Sequence, residues 1–155
     1  MNHAEIILLV EDDANDVSFM KYAFEQAGIT QTVQVAEDGR QAMDYLDGKG
    51  QYADRVRFPL PALTLLDLKM PGCSGLEVLG WIQQSLELRT LLVIVLTSSP
   101  DPNDVDEAYR LGARSFLVKP VSVGQRLQMA KAIKSYWFGL NQFPTLSRGG
   151  IAQPV

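Results

Sequence analysis

This chain is short of most things that would suggest a specialised protein class. With a single cysteine, Cys73, it can form no intramolecular disulfide and gives no sign of a cysteine-built metal cluster; Cys73 reads as a small loop residue. No Lys/Arg cluster appears, so a nucleic-acid-binding surface is not expected. No basic stretch precedes an apolar one near the start, and no signal peptide is expected. The longest apolar run, Leu91 to Leu96, ends at Thr97 and is far too short to cross a bilayer. No internal repeat or low-complexity tract is present. What remains is ordinary: 46% hydrophobic and 21% charged residues, with fourteen basic against eighteen acidic side chains and a net charge of −4. At 155 residues the chain fits one domain with a real core. A soluble, cytoplasmic protein is the expectation.

Five short apolar runs alternate with five amphipathic ones. The strand candidates are 6–10, 32–36, 63–66, 91–96 and 115–118. Several are near-continuous in apolar residues, which suits a parallel sheet covered on both faces. Each intervening segment opens on a helix-start signal: Asp13 with Asp16, Asp38 with Gln41, Ser74 with Glu77, Asp101 with Asp104, and Ser122 with Gln125. A short polar side chain there accepts from a free backbone N–H, and the residue three later reaches back. Pro102 stands at a first helical position. Gly28, Gly48 and Gly112 supply the stops. One such match means little, but five in phase with five strands imply a (βα)5 chain. Right-handed crossovers then give an α/β, doubly wound, flavodoxin-like parallel sheet in the order 2-1-3-4-5.

The run Leu65-Leu66-Asp67-Leu68-Lys69-Met70-Pro71-Gly72 sits at the centre of this plan. A buried strand ending on an acid makes that charge costly unless something nearby uses it. In open α/β sheets ligands bind outside the carboxyl ends of the strands. There the first strand offers Glu11-Asp12-Asp13, the third Asp67, the fourth Thr97 and the fifth Lys119. Three crowded carboxylates call for a cation, and all-oxygen donors favour a hard ion such as Mg2+. Asp67 then reads as a nucleophile for a phosphoryl group, Lys119 as a neutralising charge and Thr97 as a hydroxyl donor. Asp13 and Asp16 read as the cap and third residue of the first helix. Lys69 and Lys131 read as solvent-facing.

These residues resemble the receiver domain of two-component response regulators over roughly residues 5 to 138. The resemblance rests on Val10-Glu11-Asp12-Asp13, on Leu66 to Gly72 with Gly75, on Leu96-Thr97-Ser98, and on Gly112-Ala113 leading to Phe116-Leu117-Val118-Lys119-Pro120. It implies that Asp67 is the phosphoacceptor, with Mg2+ held by Glu11, Asp12, Asp67 and the backbone carbonyl of Lys69. Asp12 would be the direct ligand and Glu11 one acting through water. It also implies that Thr97 and Lys119 sense the phosphoryl group. Phe116 stands where the family has an aromatic that moves inward when Thr97 shifts; a plain buried strand aromatic is the alternative. The long 48–62 connection and the run 133–144 resemble the stand-alone regulators paired with phytochrome-type histidine kinases. The Arg89-Thr90 approach to the fourth strand departs from the proline-containing one common there.

Several expectations follow. Residues 1–138 form one receiver domain, and 139–155 a partly ordered extension tethered by Leu140, Phe143 and Leu146, with no output domain. The Gly48–Ala62 connection is either a surface loop pinned by Tyr52 and Phe58 or a partner-docking loop. The last helix carries two apolar rows, Leu127, Ala130, Ile133 and Trp137 beside Met129, Ala132, Tyr136 and Leu140. The second row suggests a homodimer through the fourth helix, fifth strand and fifth helix. His3, the lone histidine, is not expected to donate a phosphoryl group, so the partner is a histidine kinase. Two rivals stand beside this reading. A haloacid-dehalogenase-type phosphatase also uses an aspartyl nucleophile, but wants an acid two residues on, where Lys69 stands. A pseudo-receiver would keep the fold without the chemistry, yet all the acidic and basic site residues are present.

Overall fold

A computed structural model describes residues 6–98 and 100–146; His3 and the end of the C-terminal extension lie outside them. The strands are β1 (Ile6–Val10), β2 (Thr32–Ala36), β3 (Leu63–Leu66), β4 (Leu92–Thr97) and β5 (Ser115–Val118). Helices α1 (Ala14–Gln26), α2 (Gly39–Asp47), α3 (Gly75–Gln84), α4 (Pro102–Arg110) and α5 (Val123–Ser135) follow them in alternation. All strands pair in parallel, in the order β2-β1-β3-β4-β5. The fold is therefore the flavodoxin-like one expected, with β4 shifted by one residue.

Strand alternation divides the core into two layers. Leu8, Val10, Leu66, Val93 and Val95 pack with Tyr45, Leu46, Val78, Leu79 and Ile82, under α2 and α3. Ile7, Leu9, Leu65, Ile94 and Leu96 pack with Met20, Phe24, Ala130 and Ile133, under α1 and α5. With both faces covered, β1 and β3 are buried throughout, which is why those runs read as continuous apolar sequence.

All five expected caps form. Asp13 accepts from the Asn15 and Asp16 amides, Asp38 from Gln41, Ser74 from Glu77, Asp101 from Asn103, and Ser122 from Gln125. The reciprocal contacts differ. The Gln41 side chain accepts from the Glu37 amide instead of that of Asp38, and Asp16 points elsewhere, as described below. Gly48 ends α2 at φ +68°, where a side chain would be strained.

The 48–62 connection is pinned by its own side chains. Tyr45, Tyr52 and Phe58 form a three-ring cluster with centroids 5.0 to 5.9 Å apart. Arg55 donates to the carbonyls of Tyr45 (2.6 Å), Tyr52 (3.2 Å) and Leu46 (3.2 Å), so it neutralises the carbonyl end of α2. The Tyr45 hydroxyl donates to the Pro59 carbonyl at 2.9 Å.

After α5 the chain makes a π-helical turn over Tyr136–Leu140. Phe143 packs on Phe138 at 5.6 Å, and Leu146 reaches the layer beneath α2 and α3. Leu140 is not a tether: it is 77% exposed, because the wide turn carries it outward. On α5, Ala130 and Ile133 are buried while Ala132 and Tyr136 face solvent. Among the described residues, no helix is long and apolar enough to cross a membrane.

Candidate phosphoryl-acceptor site

The site begins as an extension of the sheet. The Asp67 amide donates to the Val10 carbonyl at 3.1 Å, Glu11 to Ala36 at 3.0 Å, and Lys119 to Thr97 at 2.8 Å. These bonds carry the ladder one residue past the strands, so three polar side chains are held by backbone geometry at the point where strand order reverses. Behind them, Gly75 brings α3 against the same turn. A Cβ there would lie 2.3 Å from the Asp67 carbonyl oxygen and 2.7 Å from the Leu68 Cα. No other residue type fits that approach without moving backbone, and the Gly75 amide uses it to donate to Leu68 at 3.0 Å.

Lys119 is the hub. Its Nζ lies 2.5 Å from Glu11 Oε2, 2.9 Å from Asp16 Oδ2 and 3.1 Å from Asp67 Oδ2. Glu11 and Asp67 are both buried, and the Lys119 side chain is 12% exposed. The second Glu11 oxygen accepts from the Asp13 amide at 3.1 Å, and the second Asp67 oxygen from the Lys69 amide at 3.2 Å. Burial pushes the Glu11 carboxyl up to about 7, with the Asp67 charge adding to it and the Lys119 and Asp13 bonds opposing. Burial alone would lower the Lys119 ammonium; its Glu11, Asp16 and Asp67 partners outweigh that and hold it above the ordinary lysine range.

Oxygens of Glu11, Asp12 and Asp67 all lie within 4.8 Å of one another. Counting Asp16, four carboxylates gather at this edge, and three of them pair with its one ammonium. The deficit of positive charge and the all-oxygen donor set fit a hard divalent cation. Thr97, fully buried at the end of β4, has a hydroxyl with no hydrogen-bond partner among the described residues.

The structure thus brings Glu11, Asp12, Asp67 and Lys119 to one place, with Thr97 at the adjacent strand end. Phe116 is half-buried against the α2/α3 layer. Lys69 is exposed, as expected, and its Nζ also lies 2.9 Å from Asp104 Oδ2, so the loop after β3 reaches across to the first turn of α4. Asp16 is the residue that sequence reasoning left outside. Asp13 alone caps α1, so the Asp16 side chain is available to Lys119 from the same helical turn. The available signal was a further acid in the first turn of α1, close in sequence to the acids that end β1.

Residues 7–131 match the response regulator receiver domain family. A probable methanogenesis regulatory protein, FilR2 of Methanothrix harundinacea, is 39% identical over 142 residues, covering 90% of this chain and 87% of the relative. Response regulator Rcp1 of Synechocystis sp. is 34% identical over 136 residues, covering 88% and 90%. A crystal structure of the Mn2+-bound form of Rcp1 superposes at a TM-score of 0.81, with 33% identity over 91% of this chain and 99% of that one. The phosphorylated cyanobacterial phytochrome response regulator RcpA superposes at a TM-score of 0.84, with 31% identity over 92% and 99%.

Proposed function

The chain belongs to the response regulator receiver domain family, and on that premise we propose that it is a stand-alone response regulator accepting a phosphoryl group from a histidine kinase onto Asp67. The observation that carries this reading is a buried carboxylate at a strand end, 3.1 Å from a lysine ammonium and within 4.8 Å of two further acids. A surface ion pair would not need that arrangement.

In the proposed reaction an Asp67 oxygen attacks the phosphorus of a phosphohistidine. The P–N bond breaks and its electron pair leaves on the imidazole, which picks up a proton. The product is an acyl phosphate on Asp67, and later attack of water at phosphorus returns the carboxylate and inorganic phosphate. Lys119 meets the charge on the phosphoryl oxygens, and the unpartnered Thr97 hydroxyl donates to one of them. Glu11, Asp12, Asp67 and the Lys69 carbonyl would hold Mg2+. Bound there, Mg2+ would supply the positive charge the four acids lack and neutralise the incoming phosphoryl oxygens.

An apolar groove lies beside the site. Phe19, Tyr22 and Ala23 of α1 face Val123, Arg126 and Leu127 of α5 across an apolar groove. Phe19 and Tyr22 are 44% and 56% exposed. Likeness to Rcp1 and RcpA supports a phytochrome-type kinase. The exposed Ala132 and Tyr136, with half-buried Met129 beside them, lie next to the edge strand β5 and support a homodimer through α4, β5 and α5. Residues 1–138 then act as one cytoplasmic receiver and 139–155 as its extension, with output through protein contacts.

Incubation with Mg2+ and a small phosphoryl donor, followed by intact mass, tests the reaction. One phosphoryl mass is gained by the wild type and none by Asp67→Asn; equal gains in both would overturn the assignment. Light scattering with and without beryllofluoride tests the dimer, which a monomer in both states rejects.

A further inference from the structure

Three carboxylates hold the Lys119 ammonium, and they are not equivalent. Glu11 and Asp67 are buried, with side chains 3% and 6% exposed, whereas Asp16 is 36% exposed. Glu11 and Asp67 each take a second bond from a backbone amide. Asp16 has no duty in its own helix, since Asp13 performs the capping. Its side chain accepts directly from Lys119 at 2.9 Å, beside a small cavity also lined by Phe19, Met20, Pro120 and Arg126. The ammonium is therefore drawn in two directions, toward the acids of the strand ends and toward the first turn of α1.

We propose that Asp16 is a positioning residue of this site: it draws the Lys119 ammonium away from Asp67 in the unmodified protein and yields it when Asp67 carries a phosphoryl group. The inference rests on Asp67 being the phosphoryl acceptor. A phosphoryl group on Asp67 adds negative charge and acceptor oxygens on one side of a single ammonium. Lys119 has three donors on a flexible stem and can follow that charge. Whatever attraction Asp16 exerts is complete before the modification and reduced after it. Asp16 therefore opposes phosphorylation, unlike Glu11, which stays beside the reacting group in both states. The counter-pull is modest because the Asp16 side is open to water and screened.

Beryllofluoride with Mg2+ imitates the phosphoryl group on a carboxylate, and its affinity is the readout. Asp16→Asn tightens apparent binding roughly two- to fivefold, and Asp16→Glu, which keeps the charge, restores the wild-type value. Urea unfolding of wild type, Asp16→Asn, Lys119→Met and the double variant, all without beryllofluoride, supplies the second readout: non-additive midpoints, because the two side chains interact in the unmodified protein. Unchanged beryllofluoride affinity in Asp16→Asn overturns the proposal. Tighter binding with additive midpoints also overturns it, since Asp16 would then act by charge alone and not through Lys119. A wild type that takes neither beryllofluoride nor a phosphoryl group overturns the Asp67 reading, and this one with it. An unresponsive Asp16→Asn beside a responsive wild type overturns this one alone.

Discussion

The clamp around Tyr45 and the acid edge around Asp67 are both buried polar assemblies, and they are built on opposite principles. In the clamp each charged or hydroxyl donor meets a neutral carbonyl: Arg55 serves three of them and the Tyr45 hydroxyl a fourth. Burial there raises the Tyr45 hydroxyl to about 12, opposed by Arg55, so it remains a donor at any physiological pH. At the acid edge three carboxylates share one ammonium, Glu11 is pushed up to about 7, and the Thr97 hydroxyl lacks a partner among the described residues. In one assembly every donor named has its acceptor. The other is short of positive charge and of an acceptor for a hydroxyl, the two things that a cation and a phosphoryl group would bring. Stability should therefore depend on the first region and ligand response on the second.

Truncation of the clamp should cost most. Tyr45→Ala removes a fully buried ring and its hydroxyl bond, and should lower unfolding free energy by about 3–5 kcal/mol in urea titration. Phosphorylation of the molecules that remain folded should be unaltered. A loss of phosphoryl uptake beyond the loss of folded protein would show that the two regions are coupled.

The acid edge should betray itself through pH. Glu11 is raised when folded, so between pH 4.5 and about 7 the folded state binds more protons than the unfolded one. Its contribution to stability is complete below the ordinary carboxylate range and is lost as pH rises toward 7. The loss is on the order of 3 kcal/mol for metal-free protein. Denaturation of wild type against Glu11→Gln isolates the effect, because the substitution should flatten that part of the profile. Added Mg2+ should reduce the loss near neutral pH. A wild-type profile parallel to that of Glu11→Gln would contradict the charge deficit.

Gly75→Ala strikes the seam between stability and site. The new methyl meets backbone that must shift, offset in part by better helix propensity, for a net loss of about 1–2 kcal/mol. Its larger consequence is displacement of the Asp67 turn, read as slower phosphoryl uptake at a temperature where the variant is fully folded. Asp67→Asn should be the mildest in stability, within about 1 kcal/mol of wild type. It removes a partner of Lys119 but also a charge that adds to the burial-driven rise of Glu11, so NMR titration should find the Glu11 carboxyl slightly lowered yet still above its ordinary value.

Local chemistry made most of the fold legible. A cap lies within three residues of the amide it serves, and strand burial writes itself as an apolar run, so five caps and five strands could be read with one strand shifted by a residue. Glu11, Asp12, Asp67, Thr97 and Lys119 were legible for a related reason. Each ends a strand, and in a parallel sheet of known order all carboxyl ends lie along one edge. The aromatic pinning of the 48–62 connection was visible as one of two accounts, but nothing near Arg55 in sequence announced three carbonyls. Leu140 failed as a tether because the chain after α5 makes a π-helical turn that carries it outward.

Composition and periodicity by themselves determined a (βα)5 domain with an acidic edge, because those signals depend on neighbours in the chain. The partners inside that edge were settled by tertiary structure. Asp16 and Lys119 stand 103 residues apart, and Lys69 meets Asp104 across the loop after β3. Whether a flexible lysine reaches one acid or another depends on where α1 and α4 come to rest against the sheet. Packing of both layers fixes that position, and no local pattern encodes it.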